Sequence, residues 1–402
     1  MTTTTVNVFV DDTGEPSSVG TAYISARRGT TTTTFDYSAA YLGRQHSWSV
    51  SPDLPVAYGG ATTDRLPGAM ADGAPDRWGR RLIDKHNRAL TPIGAAPKMM
   101  NEVDYLLGVS DVTRQGALRY TTGADPTHLA AGASVPKLVS LPELLNASHQ
   151  IEHDTNNAQA IKTLLDAGSG SLGGARPKAA VQDGGRLLIA KFPHASDEWT
   201  VMAWEKTALD LAQRAGLRVP PRHLVSIGDD PVLIIERFDR EGDRRIPYIS
   251  AMTMLGSTNG MENDYIELAE AIGDHGSDVA VDLDELWRRI AFSVLINNTD
   301  DHMRNHGFLF NENGWKLAPI FDVNPNPNMD AERITGIGGT TASTDSYEAL
   351  MGAAATFRME SRAATEAWDK IRRAISHWEP IARSNGISKA EIRRFEPALS
   401  RH

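Results

Sequence analysis

The segment Asn298–Asn305, reading NTDDHMRN, together with Asp322 beyond it, constrains the fold more than any other part of the chain. Two short apolar runs, Gly307–Phe310 and Trp315–Ala318, lie between them and are joined by Asn311-Glu312-Asn313-Gly314, a polar turn of the kind that closes a β-hairpin. A hairpin that starts just after Asn305 and finishes just before Asp322 brings its two ends, and those two residues, close in space. Upstream, Leu286, Ile290, Val294 and Ile296 recur among charged positions at helical spacing, so Leu283–Asn297 reads as a buried helix that delivers the chain into the loop.

A carboxylate, an asparagine five residues on, a hairpin and a second aspartate form the arrangement of a protein-kinase catalytic loop with its metal-binding aspartate. In that reading Asp300 orients and deprotonates an attacking hydroxyl, while Asn305 and Asp322 offer oxygen ligands to magnesium, which takes one or two carboxylates and completes its shell with phosphates and water. Two other readings stand beside it. Asp300 and Asp301 suit a solvated turn with capping carboxylates. His302 and His306, four apart, suit a zinc site if they share a helix face, although Met303-Arg304-Asn305 lacks the metalloprotease glutamate and Arg304 sets a cation beside the metal.

Composition narrows the classes. At 402 residues and 41% hydrophobic content the chain has material for two or three cored domains. A net charge of -10 without a long Lys/Arg block argues against phosphate-driven nucleic-acid binding as the main role, and zero cysteines exclude disulfides, thiolate metal sites and cysteine nucleophiles. No apolar run reaches membrane-spanning length and MTTTTVNVFV has no basic leader region, so the expectation is a cytoplasmic protein without a membrane partner.

Along the chain, Val6–Val10, Gly20–Ile24 and the threonine run into Phe35 read as strands, and Asp76–Asn87 as a helix after Pro75. The Pro- and Gly-containing stretch Thr121–Pro136 is the boundary. Pro142–Leu165 is helical, Ala179–Val181 and Arg186–Phe192 pair across Gln182–Gly185, and Val232–Phe238 is a buried strand. Between them a helix is expected from Ser196, its N-cap, with Asp197 and Glu198 in the first turn and Gly216 as its stop. Gly168, Gly170 and Gly173 match G-x-G-x-x-G, but the motif follows a helix and leads into strands, which speaks against a dinucleotide fold; such a loop ahead of a hairpin covers phosphates with backbone N–H groups. Lys191, near the end of the second strand, stands where a kinase places its phosphate-contacting lysine. Glu205 or Glu198 on the next helix could pair with it.

Taken together, Ser171–Lys178, Ile189–Pro193, Glu236–Arg240, Asn298–Asn305 and Ala318–Asp322, in that order, resemble the HipA family of bacterial serine/threonine kinases, the toxins of toxin–antitoxin modules. Leu66-Pro67, Asp72–Leu82 and Gln115–Leu118 are similar to that family's N-terminal domain. The resemblance implies an α+β, two-lobed protein-kinase-like fold with an N-terminal β-rich subdomain (1–125), a nucleotide-binding small lobe (136–240) and a mostly helical catalytic lobe (241–402). It implies ATP and Mg2+ as cofactors, Asp300 as base, Asn305 and Asp322 as metal ligands, and Lys191, Gly170, Ser171, Gly173, Gly174, Glu236, Phe238 and His302 around the nucleotide. Ser171 matches the serine that family members autophosphorylate. A small helix-turn-helix antitoxin would be the partner, with operator DNA reached through it and a protein serine or threonine as acceptor. Arg304 stands where lysine is frequent and Arg176 where glutamine is frequent. The alternative of another class is a catalytically idle kinase fold serving as a co-repressor scaffold.

Overall fold

The structure is a computed structural model that describes residues 2–27, 30–92, 95–123, 135–153, 157–169 and 176–400. These gather into two compact units, residues 1–196 with 234–249 and residues 197–233 with 250–402.

The first unit opens with strands β1 (Thr2–Val10), β2 (Ser17–Arg27), β3 (Thr30–Tyr37), β4 (Ala61–Thr63) and β5 (Leu118–Thr121), ordered β4-β3-β2-β1-β5 with antiparallel neighbours. Alternation decides which face is buried. Val6 pairs with Ala22 and Ala22 with Phe35, so three apolar side chains line up across the sheet in one buried row. The threonine run expected as a strand is β3. Short helices α1 (Ala39–Leu42) and α2 (Gly68–Asp72) precede α3 (Arg77–Ala89), which Asp76 caps by accepting from Gly79 N at 2.6 Å. Helix α3 buries Trp78, Gly79, Leu82 and Ile83 on one side, and α4 (Glu102–Leu107) begins with a capping box of Asn101 and Asp104.

Helices α5 (Leu141–His153) and α6 (Ala158–Asp166) then lead to the hairpin β6 (Lys178–Asp183) and β7 (Arg186–Lys191), whose turn glycines Gly184 and Gly185 both take positive φ. Strand β7 is followed in the sheet by the end of β9 (Asp230–Glu236), which enters this unit at residue 234.

The second unit starts with α7 (Val201–Ala215), which stops at Gly216 in the left-handed conformation as expected. Its start differs: Thr200, not Ser196, precedes the first turn. Residues 198–200 are drawn instead into contacts with α14 (Lys389–Leu399), since Trp199 packs edge-on against Phe395 and Thr200 donates to Glu391 through both N and Oγ1. Tertiary contacts have overridden a local cap. Strand β8 (Arg222–Ile227) and the first half of β9 follow. The remainder is mostly helical: α8 (Ala251–Met254), α9 (Tyr265–His275), α10 (Val279–Leu295), α11 (Ser346–Gly352), α12 (Ser361–Ile375) and α13 (Trp378–Ser384), then α14. Helix α10 is the axis of this core, with Leu283, Leu286, Trp287, Ile290, Ala291 and Val294 all buried. The hairpin of Gly307–Asn311 and Gly314–Leu317 is present, in the register Phe308 opposite Leu317 and Asn311 opposite Gly314. Among the described residues no helix is long and apolar enough to cross a membrane.

Candidate active site

Helix α10 ends at Leu295, and Asn297 then turns the chain with a φ of 54°. Of the described residues only two others that are not glycine have positive φ, Asp322 at 56° and Arg358 at 57°. Asn297 and Asp322 thus bracket the loop and hairpin in a conformation that costs an ordinary side chain about 1–2 kcal/mol and that Asn and Asp tolerate best. Such strain persists where surrounding structure holds it. Here it does: Asn297 Nδ2 donates to the carbonyls of Asn326 and Asn328 at 2.7 and 3.0 Å, and Asn326 Nδ2 donates to Thr299 Oγ1 at 2.8 Å. The segment after Asp322 is therefore pinned to the loop before Asp300.

The two aspartates of the loop have opposite surroundings. Asp300 is exposed. Asp301 is 5% exposed: its Oδ2 accepts from Tyr265 Oη at 2.5 Å and Ser293 Oγ at 2.9 Å, its Oδ1 lies 3.0 Å from His306 Nε2, and its carbonyl accepts from Thr335 Oγ1 at 2.6 Å. Burial alone would raise the Asp301 carboxyl, but the His306 imidazole, the Tyr265 hydroxyl and Arg333 together hold it well below the ordinary carboxylate range. Tyr265 is pushed well above the tyrosine range by burial and by that same carboxylate. Asp301 is an internal anchor, and it fixes the backbone from which Asp300 projects.

Asn305 is 6% exposed and its Nδ2 donates to the Asp300 carbonyl at 3.1 Å. That bond closes the loop upon itself and leaves the carboxamide oxygen as the atom offered to a ligand. Asp322, half-buried, follows the hairpin after Ala318, whose N–H donates to Gly307 O at 2.8 Å. The hairpin thus joins Gly307, two residues after Asn305, to Ala318, four residues before Asp322. An oxygen-only pair of one carboxamide and one carboxylate fits magnesium, and among the described residues no group of three or more His, Cys, Asp or Glu gathers to hold a metal by itself. The zinc alternative fails on conformation: Met303–Asn305 is a single 3-10 turn with His302 and His306 extended on either side, so the two imidazoles share no helix face, and His306 is engaged by Asp301.

In the first unit Lys191 ends β7 directly across from Lys178, between the buried side chains of Ala190 and Phe192. Gly170, Ser171, Gly173 and Gly174 lie outside the described residues, but the approach to them is built firmly. Gly168 has a φ of 67°, and a Cβ there would overlap the side chain of Thr113, so only glycine fits. Ser169 Oγ bonds to Lys178 O, and Lys178 Nζ makes a buried ion pair of 3.0 Å with Asp76, the cap of α3. Desolvation holds the Asp76 carboxyl above its ordinary range even so. Glu236 accepts from Arg186 at 3.1 Å, and Phe238 lies against Tyr248. Beneath them Asp239 is buried and accepts from Arg237, Arg240 and Gly116 N, while Arg237 and Arg240 also donate to the carbonyls of Thr113 and Arg114. Glu198 is taken by Arg394; Glu205 is 1% exposed.

Sequence reasoning missed the Asp301 anchor and the Asp239 clamp. Tyr265 and Thr335 stand 36 and 34 residues from Asp301, and Gly116 stands 123 from Asp239, so no local pattern announces either.

Comparison with known proteins bears on this geometry. A model of the HipA-like C-terminal domain matches residues 170–378, just over half of the chain. A putative kinase of Haemophilus influenzae is 28% identical over 170 residues, covering 37% of this chain and 49% of its own length, so the chain spans about half of that relative. Toxin YjjJ of Escherichia coli is 23% identical over 371 residues, covering 84% of this chain and 77% of that protein. Among solved structures, the Shewanella oneidensis toxin–antitoxin complex of HipA, HipB and its operator DNA contains a chain that superposes with a TM-score of 0.71 at 16% identity, over 98% of this chain and 95% of that one. At that identity the likeness shows the fold, which is α+β and kinase-like.

Proposed function

Because the chain belongs to the HipA family of toxins and putative kinases, we propose that it is a serine/threonine protein kinase and the toxin of a toxin–antitoxin module, transferring the γ-phosphate of ATP to a protein hydroxyl with magnesium. The observation that carries this reading is the division between two adjacent carboxylates. Asp301, buried and satisfied, holds the loop; the exposed Asp300 would align an incoming hydroxyl and take its proton as the hydroxyl oxygen bonds to the γ-phosphorus and the bond from that phosphorus to the β,γ-bridging oxygen breaks, releasing ADP. Asn305 and Asp322 would hold magnesium, and Lys191 would contact the ATP phosphates. When bound, the metal neutralises charge on the β- and γ-phosphate oxygens. Glu236 and Phe238 would border the adenine, with the Asp239 clamp keeping that segment in place, and His302 would complete the nucleotide surroundings.

The relative solved with HipB and operator DNA supports a small DNA-binding antitoxin as partner, with the operator reached through it in the cytoplasm. Ser171 is proposed as an autophosphorylation site: a phosphoserine adds about -1.5 to -2 charges beside an anionic ligand, which repels the loop from ATP. Incubation with ATP and magnesium followed by mass spectrometry is expected to place phosphate on Ser171, and Asp322→Ala is expected to lose magnesium-dependent ATP binding. Equal ATP affinity with and without magnesium in both proteins would overturn the metal assignment.

A further inference from the structure

Helix α3 carries a row of cations that form no ion pair among the described residues. Arg77, Arg81, Lys85 and Arg88 follow at spacings of four, four and three residues, so they fall within a sector of about 80° on one side of the helix. The three arginines are exposed and Lys85 is half-buried. None of the four takes part in an ion pair among the described residues. The nearby opposite charges are spent elsewhere: Asp84, the helix's sole acid, accepts from Tyr105 Oη at 2.7 Å, and Glu102 takes both arms of Arg80 at 2.7 Å. Glu152 of α5 acts on Lys85, but its carboxylate also accepts from Ala195 N at 3.0 Å.

The first three of these cations work against the helix that bears them, whereas Arg88 sits in its last turn, where a cation is favoured. Arg77 occupies the first helical position, where the macrodipole favours anions, and the first turn holds no acid. Arg77 with Arg81, and Arg81 with Lys85, are like charges four residues apart, an unfavourable spacing. Burial, and after it Arg81, lowers the Lys85 ammonium from its ordinary range. In a chain of net charge -10, such a row is a local reversal of sign, and an outside anion would relieve its repulsion.

We propose that this face of α3 grips the phosphate backbone of duplex DNA, adding sequence-independent contacts to those of the DNA-bound partner. The proposal rests on the reading that the chain acts beside such a partner. Successive cations rise by about 6, 6 and 4.5 Å along roughly 17 Å of helix, a series suited to a polymer of closely spaced charge. Three of the four are arginines, whose planar forks match phosphate. Backbone contacts position a protein without reading bases. The overall negative charge keeps this contact auxiliary, effective once the partner has raised the local DNA concentration.

The test is fluorescence anisotropy of the whole protein with a labelled duplex of arbitrary sequence, across a salt series. With three to four phosphates engaged, log K is expected to fall against log salt with a slope of about -2.7 to -3.6. In Arg77→Glu/Arg81→Glu the slope is expected to shrink by about 2 and the low-salt affinity to drop at least about tenfold, with a melting temperature no lower than that of the parent. No binding by the parent at low salt, or an unchanged slope in the variant, overturns the proposal. So does poly-glutamate binding to the row where duplex does not, which would make the partner an acidic protein. Phosphotransfer is measured on the same samples: its absence from the parent would sink the kinase reading while leaving the DNA result to stand or fall separately.

Discussion

A carboxylate buried among two hydroxyls and an imidazole answers to substitution differently from an exposed one a single residue away. Asp301→Asn keeps the shape but loses the charge that Tyr265, Ser293 and His306 surround, and it turns one acceptor into a donor facing them. The expected cost is about 2–4 kcal/mol of stability, read from denaturant unfolding at neutral pH. Because the folded carboxyl lies below its ordinary range, this contribution is complete above the unfolded value and is lost as pH falls through the depressed one. The gap between parent and variant should therefore hold at pH 7 and narrow below about pH 4. A gap that stays the same from pH 7 down to about pH 2 would contradict a charged Asp301 as the anchor. The residue types and spacing of Asp300, Asn305 and Asp322 were legible in the sequence because a hairpin joins them locally. Which aspartate faces inward was not, since the deciding partners Tyr265 and Thr335 come from distant elements.

At the level of elements, periodicity and turn chemistry were enough where structure is locally determined. The helix after Pro75, the β6–β7 turn, the Gly216 stop and the Asn311–Gly314 turn all stand as read. The start of α7 was misread because Ser196 is a good cap by type, whereas Thr200 and Trp199 are held by Glu391 and Phe395 nearly two hundred residues on. The exit from α6 is where local and tertiary demands coincide. Gly168→Ala combines a left-handed backbone, at about 1–2 kcal/mol, with an overlap against Thr113 of about 1–3 kcal/mol. Adding Thr113→Ala removes Oγ1 and Cγ2 but keeps the Cβ at 2.6 Å, so it should recover part of the second cost and none of the first, as measured by a double-mutant cycle in urea. Strict additivity of the two substitutions would mean that the side chains do not meet.

Across the whole molecule, the fold class was readable because five motifs occur in one order and each brings its own element; the family match and the 0.71 superposition agree with it. What sequence could not supply was the dependence of one segment on another far away, such as Asp239 on the 113–116 turn. The central claim is that this kinase-like fold is a working phosphotransferase whose base is Asp300. The direct measurement is transfer of labelled γ-phosphate from ATP with magnesium, to the protein itself and to added protein, by the parent, Asp300→Asn and Asp301→Asn. Asp300 is exposed, so its substitution should leave stability within about 0.5 kcal/mol while reducing transfer by about 10²- to 10⁴-fold. A parent that transfers nothing, or an Asp300→Asn variant that keeps near-full activity, would contradict the account.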